Sequence, residues 1–312
     1  MANQNRAGDM SRLSRPIFVG GVSRSGTTVV GKRLLGRHSE IGCVKPAEMW
    51  FITDRGGLCD VAHPEINQIQ KQLLAIKRGN LNQVAAFNKR MRGFWYGRQW
   101  KRQDKLKGLH ETVSPEQLEN ALELFNSNFK QDSVEAARQL AADLIDPYIV
   151  SKNKTRWVDT TPRNVRRADA LLSVFPDLKL IHMIRDGRDV ASSIVSMNWG
   201  PNNIHAALEQ WYLHIQEGQI AAAKLPAHQV LTMQLEDLVE NDREASYQSI
   251  LNFLEVDDAP KMRKYFDEEM SVSNAHKGRW KTGLSQADVE KLNLDYMLFC
   301  ESLKALGLVI PK

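Results

Sequence analysis

The chain has 312 residues, 42% of them hydrophobic and 25% charged, with a formal net charge of +5. That length sets an expectation of one elaborated α/β domain or two smaller ones, and the composition excludes the disordered, fibrous and low-complexity classes. No run approaches the eighteen apolar residues of a membrane-spanning helix, and the three scattered cysteines, Cys43, Cys59 and Cys300, form neither a CxxC pair nor a metal-ligand spacing.

The opening MANQNRAGDMSRLSRP is polar and basic and lacks the apolar stretch of a secretory signal. It reads as a disordered arm over residues 1–15, ahead of a single domain over 16–312 in a reducing cytoplasm. IFVGG, at residues 17–21, is an apolar run that ends in glycines and leads into a helical pattern from Thr27 to Leu35, which reads as strand, tight turn, helix. A weaker apolar run lies at Ile41–Val44.

From about residue 60 to 152 the pattern is helical almost throughout. Ser114-Pro115-Glu116-Gln117 supplies an N-cap, a proline at the first helical position and a glutamine at the third. After Ser133, residues Val134, Ala137, Leu140, Ala141, Leu144, Ile145 and Tyr148 keep the spacing of one amphipathic helix. This stretch is expected to be a helical insertion, because short apolar runs resume at Arg156–Asp159, Lys179–Ile184 and Gln229–Leu235. Runs that alternate with helical segments predict an α/β fold with a P-loop-like parallel sheet of about five strands, flanked by helices. Closing helices are expected over Asp242–Leu254 and Ser285–Leu306.

Charge is unevenly spread. Between Lys77 and Lys107 there are ten basic residues against one acid, Asp104. The block suggests an acidic partner, and a solvated helix face explains it equally well. The aromatic cluster Phe94-Trp95-Tyr96-Gly97-Arg98-Gln99-Trp100 lies inside it without any RRM, KH or zinc pattern, so no nucleic acid is expected. His182 lies within an apolar run and reads as a core residue, and His205 and His214 lack carboxylates at ligand spacing, so no metal is expected either.

The strongest chemical signal is Gly20-Gly21-Val22-Ser23-Arg24-Ser25-Gly26-Thr27-Thr28. Gly21 and Gly26 keep P-loop spacing between a strand and a helix, where backbone N–H groups and the helix N-terminus can cradle a phosphate. Thr27 stands where an NTPase loop has its lysine, and the basic residue is instead Arg24. Without the lysine that reaches the β- and γ-phosphates, the ligand is expected to have no γ-phosphate.

Arg-Ser-Gly-Thr-Thr after an apolar strand resembles the 5′-phosphosulfate loop of the sulfotransferases that use 3′-phosphoadenosine 5′-phosphosulfate (PAPS), and IFVGGVSRSGTT is especially similar to the tyrosylprotein sulfotransferase branch. KLIHMIRDGRDVASS, at residues 179–193, resembles the family's 3′-phosphate strand and helix, and HKGRWKTGLS, at 276–285, resembles its C-terminal phosphate loop. The resemblance implies that Arg24, Ser25, Gly26, Thr27 and Thr28 hold the 5′-phosphosulfate, and that Arg185, Ser193, Lys277, Gly278 and Arg279 hold the 3′-phosphate. It also implies sulfuryl transfer from PAPS to a hydroxyl-bearing acceptor by in-line displacement, without a metal; the 60–152 insertion lies outside the resembling motifs and is expected as a helical lid over the acceptor site. Acidic peptides, glycans, small alcohols and hydroxyacyl groups on a carrier protein all remain open as acceptors, and no membrane is implied.

Transfer to a hydroxyl needs a base. By the resemblance, the base is a glutamate shortly after the first helix, and Glu48 is the best match, with Glu40 and Asp54 as competitors. In Trp157-Val158-Asp159-Thr160-Thr161-Pro162-Arg163, Thr160 stands where many members have lysine, which leaves Arg24 alone, or Arg24 with Arg163, to supply positive charge. Asp159 is a second candidate base, or else an N-cap. The other readings are a small-molecule kinase on the same fold and a non-enzymatic nucleotide-binding protein.

Overall fold

A computed structural model describes residues 15–62, 83–102 and 105–311. The expected disordered arm lies outside the described residues except for Arg15, as do Lys77, Arg78 and Asp104 of the basic block. Seven strands follow in chain order: β1 (Ile17–Gly21), β2 (Ile41–Cys43), β3 (Trp100–Arg102), β4 (Lys105–Lys107), β5 (Arg156–Asp159), β6 (Lys179–Ile184) and β7 (Val230–Gln234). Five form one sheet in the order β2-β5-β1-β6-β7. All five were visible as short apolar runs, and β1 and β6, buried along nearly their whole length, read as continuous hydrophobic stretches.

By backbone contacts the chain divides into two compact units, the first made of residues 1–17, 39–161 and 169–178 and the second of 18–38, 162–168 and 179–312. In the first, β2 and β5 pair in parallel, with Ile41 opposite Arg156 and Cys43 opposite Val158. Its helices include α1 (Gln83–Arg90), α2 (Pro115–Asn128) and α3 (Ser133–Ser151). The Ser114 hydroxyl caps α2 by accepting from the Gln117 N–H at 3.1 Å, as the capping pattern predicted. Asp132 caps α3 by accepting from the Val134 and Glu135 N–H groups. Leu118, Leu122 and Phe125 of α2 and Leu140 and Leu144 of α3 are buried, and Phe87 of α1 sits 5.5 Å from the Phe125 ring.

The helical reading of 60–152 missed one element. β3 and β4 pair antiparallel, with Trp100 opposite Lys107. Strands of three residues are too short to show a readable period of two.

In the second unit β6 and β7 pair in parallel from Leu180↔Val230 to Ile184↔Gln234. Helices α4 (Gly187–Val195), α5 (Ile204–Ala222), α6 (Arg243–Leu254), α7 (Pro260–Glu269) and α8 (Gln286–Ala305) follow. Val190, Ile194, Leu208, Trp211, Leu292 and Tyr296 form one buried cluster from α4, α5 and α8. His182, on β6, is 1% exposed, and burial pushes its imidazole down to about 4, so it is a neutral core residue. Among the described residues no helix is long and apolar enough to cross a membrane.

Candidate functional site

The loop after β1 is shaped by close packing on one side and left-handed backbone on the other. A Cβ on Gly21 would lie 2.4 Å from the Met183 carbonyl oxygen, so only glycine lets β1 approach β6 this closely. Arg24 and Gly26 have φ values of 76° and 94°, which turn the chain so that the Val30 N–H reaches the Gly26 carbonyl and the helix can start. Left-handed backbone at a non-glycine residue is uncommon and marks stored strain. Ser25 is 1% exposed, and its hydroxyl has no hydrogen-bond partner among the described residues. A buried hydroxyl left without a partner suits a loop that receives a hydrogen-bonding ligand.

Three separate stretches of the second unit meet at this loop. Arg185 ends β6 and is 8% exposed. Its guanidinium donates to the Arg24 carbonyl at 3.0 Å and to the Ala275 carbonyl at 2.7 Å, which joins the loop, the strand and the C-terminal segment. Burial lowers its pKa while Asp189, Glu236 and Asp186 pull it back up, so it stays charged. The Arg24 Nε–H donates to the Ser193 hydroxyl at 2.8 Å. Arg24, Arg185 and Ser193, far apart in sequence, thus come together, although the resemblance assigns Arg24 to the 5′-phosphosulfate and the other two to the 3′-phosphate.

The C-terminal segment is held differently. Asp189 accepts from the Gly278 N–H at 2.8 Å and from the Trp280 N–H at 3.3 Å, with Arg185 at 3.8 Å. Lys277 pairs with Glu240, which raises the lysine's pKa, and Arg279 is exposed. Asp186 and Arg188 form their own unit. Asp186 caps α4 by accepting from the Arg188 N–H at 2.8 Å, and the Arg188 guanidinium also binds both Asp186 oxygens. That guanidinium lies 4.5 Å from the Trp280 ring centre and 4.3 Å from that of Tyr296. Glu236 accepts from the Asp186 N–H at 3.0 Å with one carboxylate oxygen, the other is buried without a partner among the described residues, and burial raises its pKa.

The base candidates lie in the first unit. Glu48 follows the carboxyl end of β2 and is partly exposed, with its carboxylate accepting from the Trp50 indole N–H at 2.9 Å. Glu40 precedes Ile41 and therefore lies at the amino end of β2, away from the carboxyl edge where open α/β sheets bind ligands. Asp54 is held by Arg90 at 2.8 Å. Asp159 is 0% exposed, and one of its carboxylate oxygens accepts from the Thr161 N–H, the Thr161 hydroxyl and the Met49 N–H. Arg163, in the second unit, adds to burial and to Arg166 in pushing His214 down to about 4, with Glu217 opposing them.

The basic block is less free than its sequence suggests. Arg90 pairs with Asp54 and lies over the Trp95 ring at 3.9 Å, Arg92 makes a forked pair with Glu119, and Lys107 pairs with Glu111. Among the described residues no group of three or more His, Cys, Asp or Glu is placed to hold a metal ion.

No curated protein matches the sequence. Among solved structures, the sulfotransferase domain of the Synechococcus PCC 7002 olefin synthase has 17% identity and a TM-score of 0.52, covering 93% of this chain and 94% of its own. The sulfotransferase domain of the curacin biosynthetic pathway has 16% identity and a TM-score of 0.52, covering 96% and 100%. At such identities these two show a shared fold. Neither is a tyrosylprotein enzyme, so that part of the resemblance stays with the IFVGGVSRSGTT segment. The sulfotransferase family description matches residues 16–260, most of the chain and all five strands of the main sheet. The chain belongs to the sulfotransferase family.

Proposed function

We propose that the enzyme transfers a sulfuryl group from PAPS to an acceptor hydroxyl by in-line displacement, with Glu48 as the base. The observation that carries the donor assignment is the convergence of Arg185, Arg24 and Ser193 beside a phosphate loop that lacks the NTPase lysine. The buried Ser25 hydroxyl and the amides up to Thr28 suit the 5′-phosphosulfate, and the Arg185 guanidinium suits a second phosphate. Lys277, Gly278 and Arg279 complete the 3′-phosphate set, with Lys277 exchanging Glu240 for the ligand. Glu48 takes the acceptor proton as the new S–O bond forms, and adenosine 3′,5′-bisphosphate leaves. Arg24 supplies positive charge to the transferring group, the role open to a cation where Thr160 replaces lysine.

The test compares adenosine 3′,5′-bisphosphate with AMP by calorimetric titration without Mg²⁺. The bisphosphate is expected to bind about 2–4 kcal/mol more tightly, from two or three charge-assisted hydrogen bonds partly offset by desolvation. Arg185→Ala should erase most of that difference and leave AMP affinity nearly unchanged. Equal binding of the two nucleotides to the wild type would instead favour a kinase, and Mg²⁺-dependent ATP turnover would establish one. A non-enzymatic binder would show the preference without acceptor-dependent release of product.

A further inference from the structure

We propose that Asp159 is a positioning residue whose carboxylate, with Thr160, clamps the backbone on both sides of Glu48, an assignment that rests on Glu48 being the base. After β2 the chain runs through Ala47, Glu48 and Met49, and the end of β5 grips both neighbours of the glutamate. The Ala47 carbonyl accepts from the Thr160 N–H at 2.9 Å and from the Thr160 hydroxyl at 3.0 Å. The Met49 N–H donates to Asp159 Oδ1 at 3.0 Å. The same oxygen is itself fixed by the Thr161 N–H at 3.1 Å and the Thr161 hydroxyl at 2.8 Å. Further along, the Glu48 carbonyl accepts from Gln99 Nε2 at 2.6 Å, and Trp50 Nε1 orients the Glu48 carboxylate at 2.9 Å.

Asp159 and Thr160 are both 0% exposed, so these bonds work with little competition from water. One oxygen that accepts three hydrogen bonds is held in a single orientation, and a fully enclosed carboxyl group is poorly placed to meet an acceptor hydroxyl. General-base catalysis needs its group within hydrogen-bond reach of the proton, and a misplacement of about 1 Å can lower the rate about 100-fold. The clamp also gives Thr160 a purpose at the position where the family resemblance expects lysine, since its hydroxyl bonds the Ala47 carbonyl.

The experiment is a double-mutant cycle on the full-length enzyme with Asp159→Ala, Asp159→Asn, Glu48→Gln and the Asp159→Ala/Glu48→Gln pair. It reads kcat, KM for PAPS and affinity for adenosine 3′,5′-bisphosphate. Asp159→Ala should lower kcat by roughly 10–100-fold with nucleotide affinity unchanged, the scale of a misplaced catalytic group. Asp159→Asn, which keeps a carbonyl oxygen to accept the same N–H and hydroxyl bonds, should recover most of that loss. In the Glu48→Gln background Asp159→Ala should change kcat by less than about twofold, because there is no longer a base to position.

An Asp159→Asn variant as inactive as Asp159→Ala would overturn the proposal, since the charge itself would then be required. So would a near-wild-type Asp159→Ala, or losses that multiply in the double variant. Near-wild-type turnover in Glu48→Gln, by contrast, brings down the base assignment itself. Should Asp159→Ala fail to bind nucleotide and so prove unfolded, Thr160→Val replaces it in the cycle. A kcat loss of roughly 3–10-fold that disappears in the Glu48→Gln background then supports the clamp, about the worth of one neutral hydrogen bond, and an unchanged kcat overturns it.

Discussion

The loop after β1 and the turn after β2 both leave the carboxyl ends of short strands, but the first keeps polar capacity open and the second uses it up. In the loop, Arg24 and Gly26 have left-handed backbone, and the buried Ser25 hydroxyl has no partner among the described residues. In the turn, the carbonyls of Ala47 and Glu48 and the N–H of Met49 all have protein partners. On the proposed function, the loop tolerates strain and an unmet hydrogen bond because the ligand supplies the missing partner. On the same proposal, the turn benefits from being fixed before substrate arrives, since only then is its geometry ready for proton transfer. On this comparison, changes in the first region should act on nucleotide affinity, with Arg24 affecting turnover as well, and changes in the second on turnover alone.

The largest effect expected is on turnover. Glu48→Gln should lower kcat by roughly 10²–10⁴-fold with affinity for adenosine 3′,5′-bisphosphate nearly intact, as steady-state kinetics alongside calorimetry would show. A matching loss of nucleotide affinity would break the division between the two regions. Next in size is Asp189→Ala, which leaves the Gly278 and Trp280 N–H groups without their acceptor. At about 1–3 kcal/mol for an unmet buried donor, bisphosphate affinity should fall roughly 10–100-fold while AMP affinity changes little. An unchanged bisphosphate affinity would remove the C-terminal segment from the 3′ site.

Gly278→Ala sharpens the same point. Gly278 has φ of +75°, and an added Cβ would meet nothing within 4 Å, so the substitution tests backbone strain alone. A penalty of about 1 kcal/mol is expected, read as a loss of roughly fivefold in bisphosphate affinity or as a lower melting temperature. The smallest effect is a control in the first unit. Asp146, on α3, is pushed up to about 7 by burial and by neighbouring Asp143. The folded state therefore keeps a proton that the unfolded chain gives up near its ordinary value of 3.8, and stability falls as pH rises from about 4 to about 7. Asp146→Asn should flatten that slope in melting curves, with the benefit growing toward pH 7 and vanishing near pH 4. A slope that persists in the variant would mean that other groups set it.

What could be read in advance was whatever depends on near neighbours in the chain. The pairing of Arg185 with Ser193 rests on the family resemblance, but the apolar runs that became the five strands, the Ser114 and Ser285 caps and the glycine loop are local patterns. Each is decided by backbone sterics, side-chain period or capping within a few residues. The roles of particular charges were not legible. Asp189 reads as one more acid on a helix, and only folding sets it against Gly278, 89 residues away. Asp159 looked like a base or a cap until the Met49 N–H, 110 residues earlier, was seen on its carboxylate. The basic block looked like an open cationic face, yet Asp54 and Glu119 neutralise part of it from outside its own sequence span. Charges and hydrogen bonds act over a few ångströms of space whatever the separation along the chain, so their partners exist only once the tertiary structure brings them together.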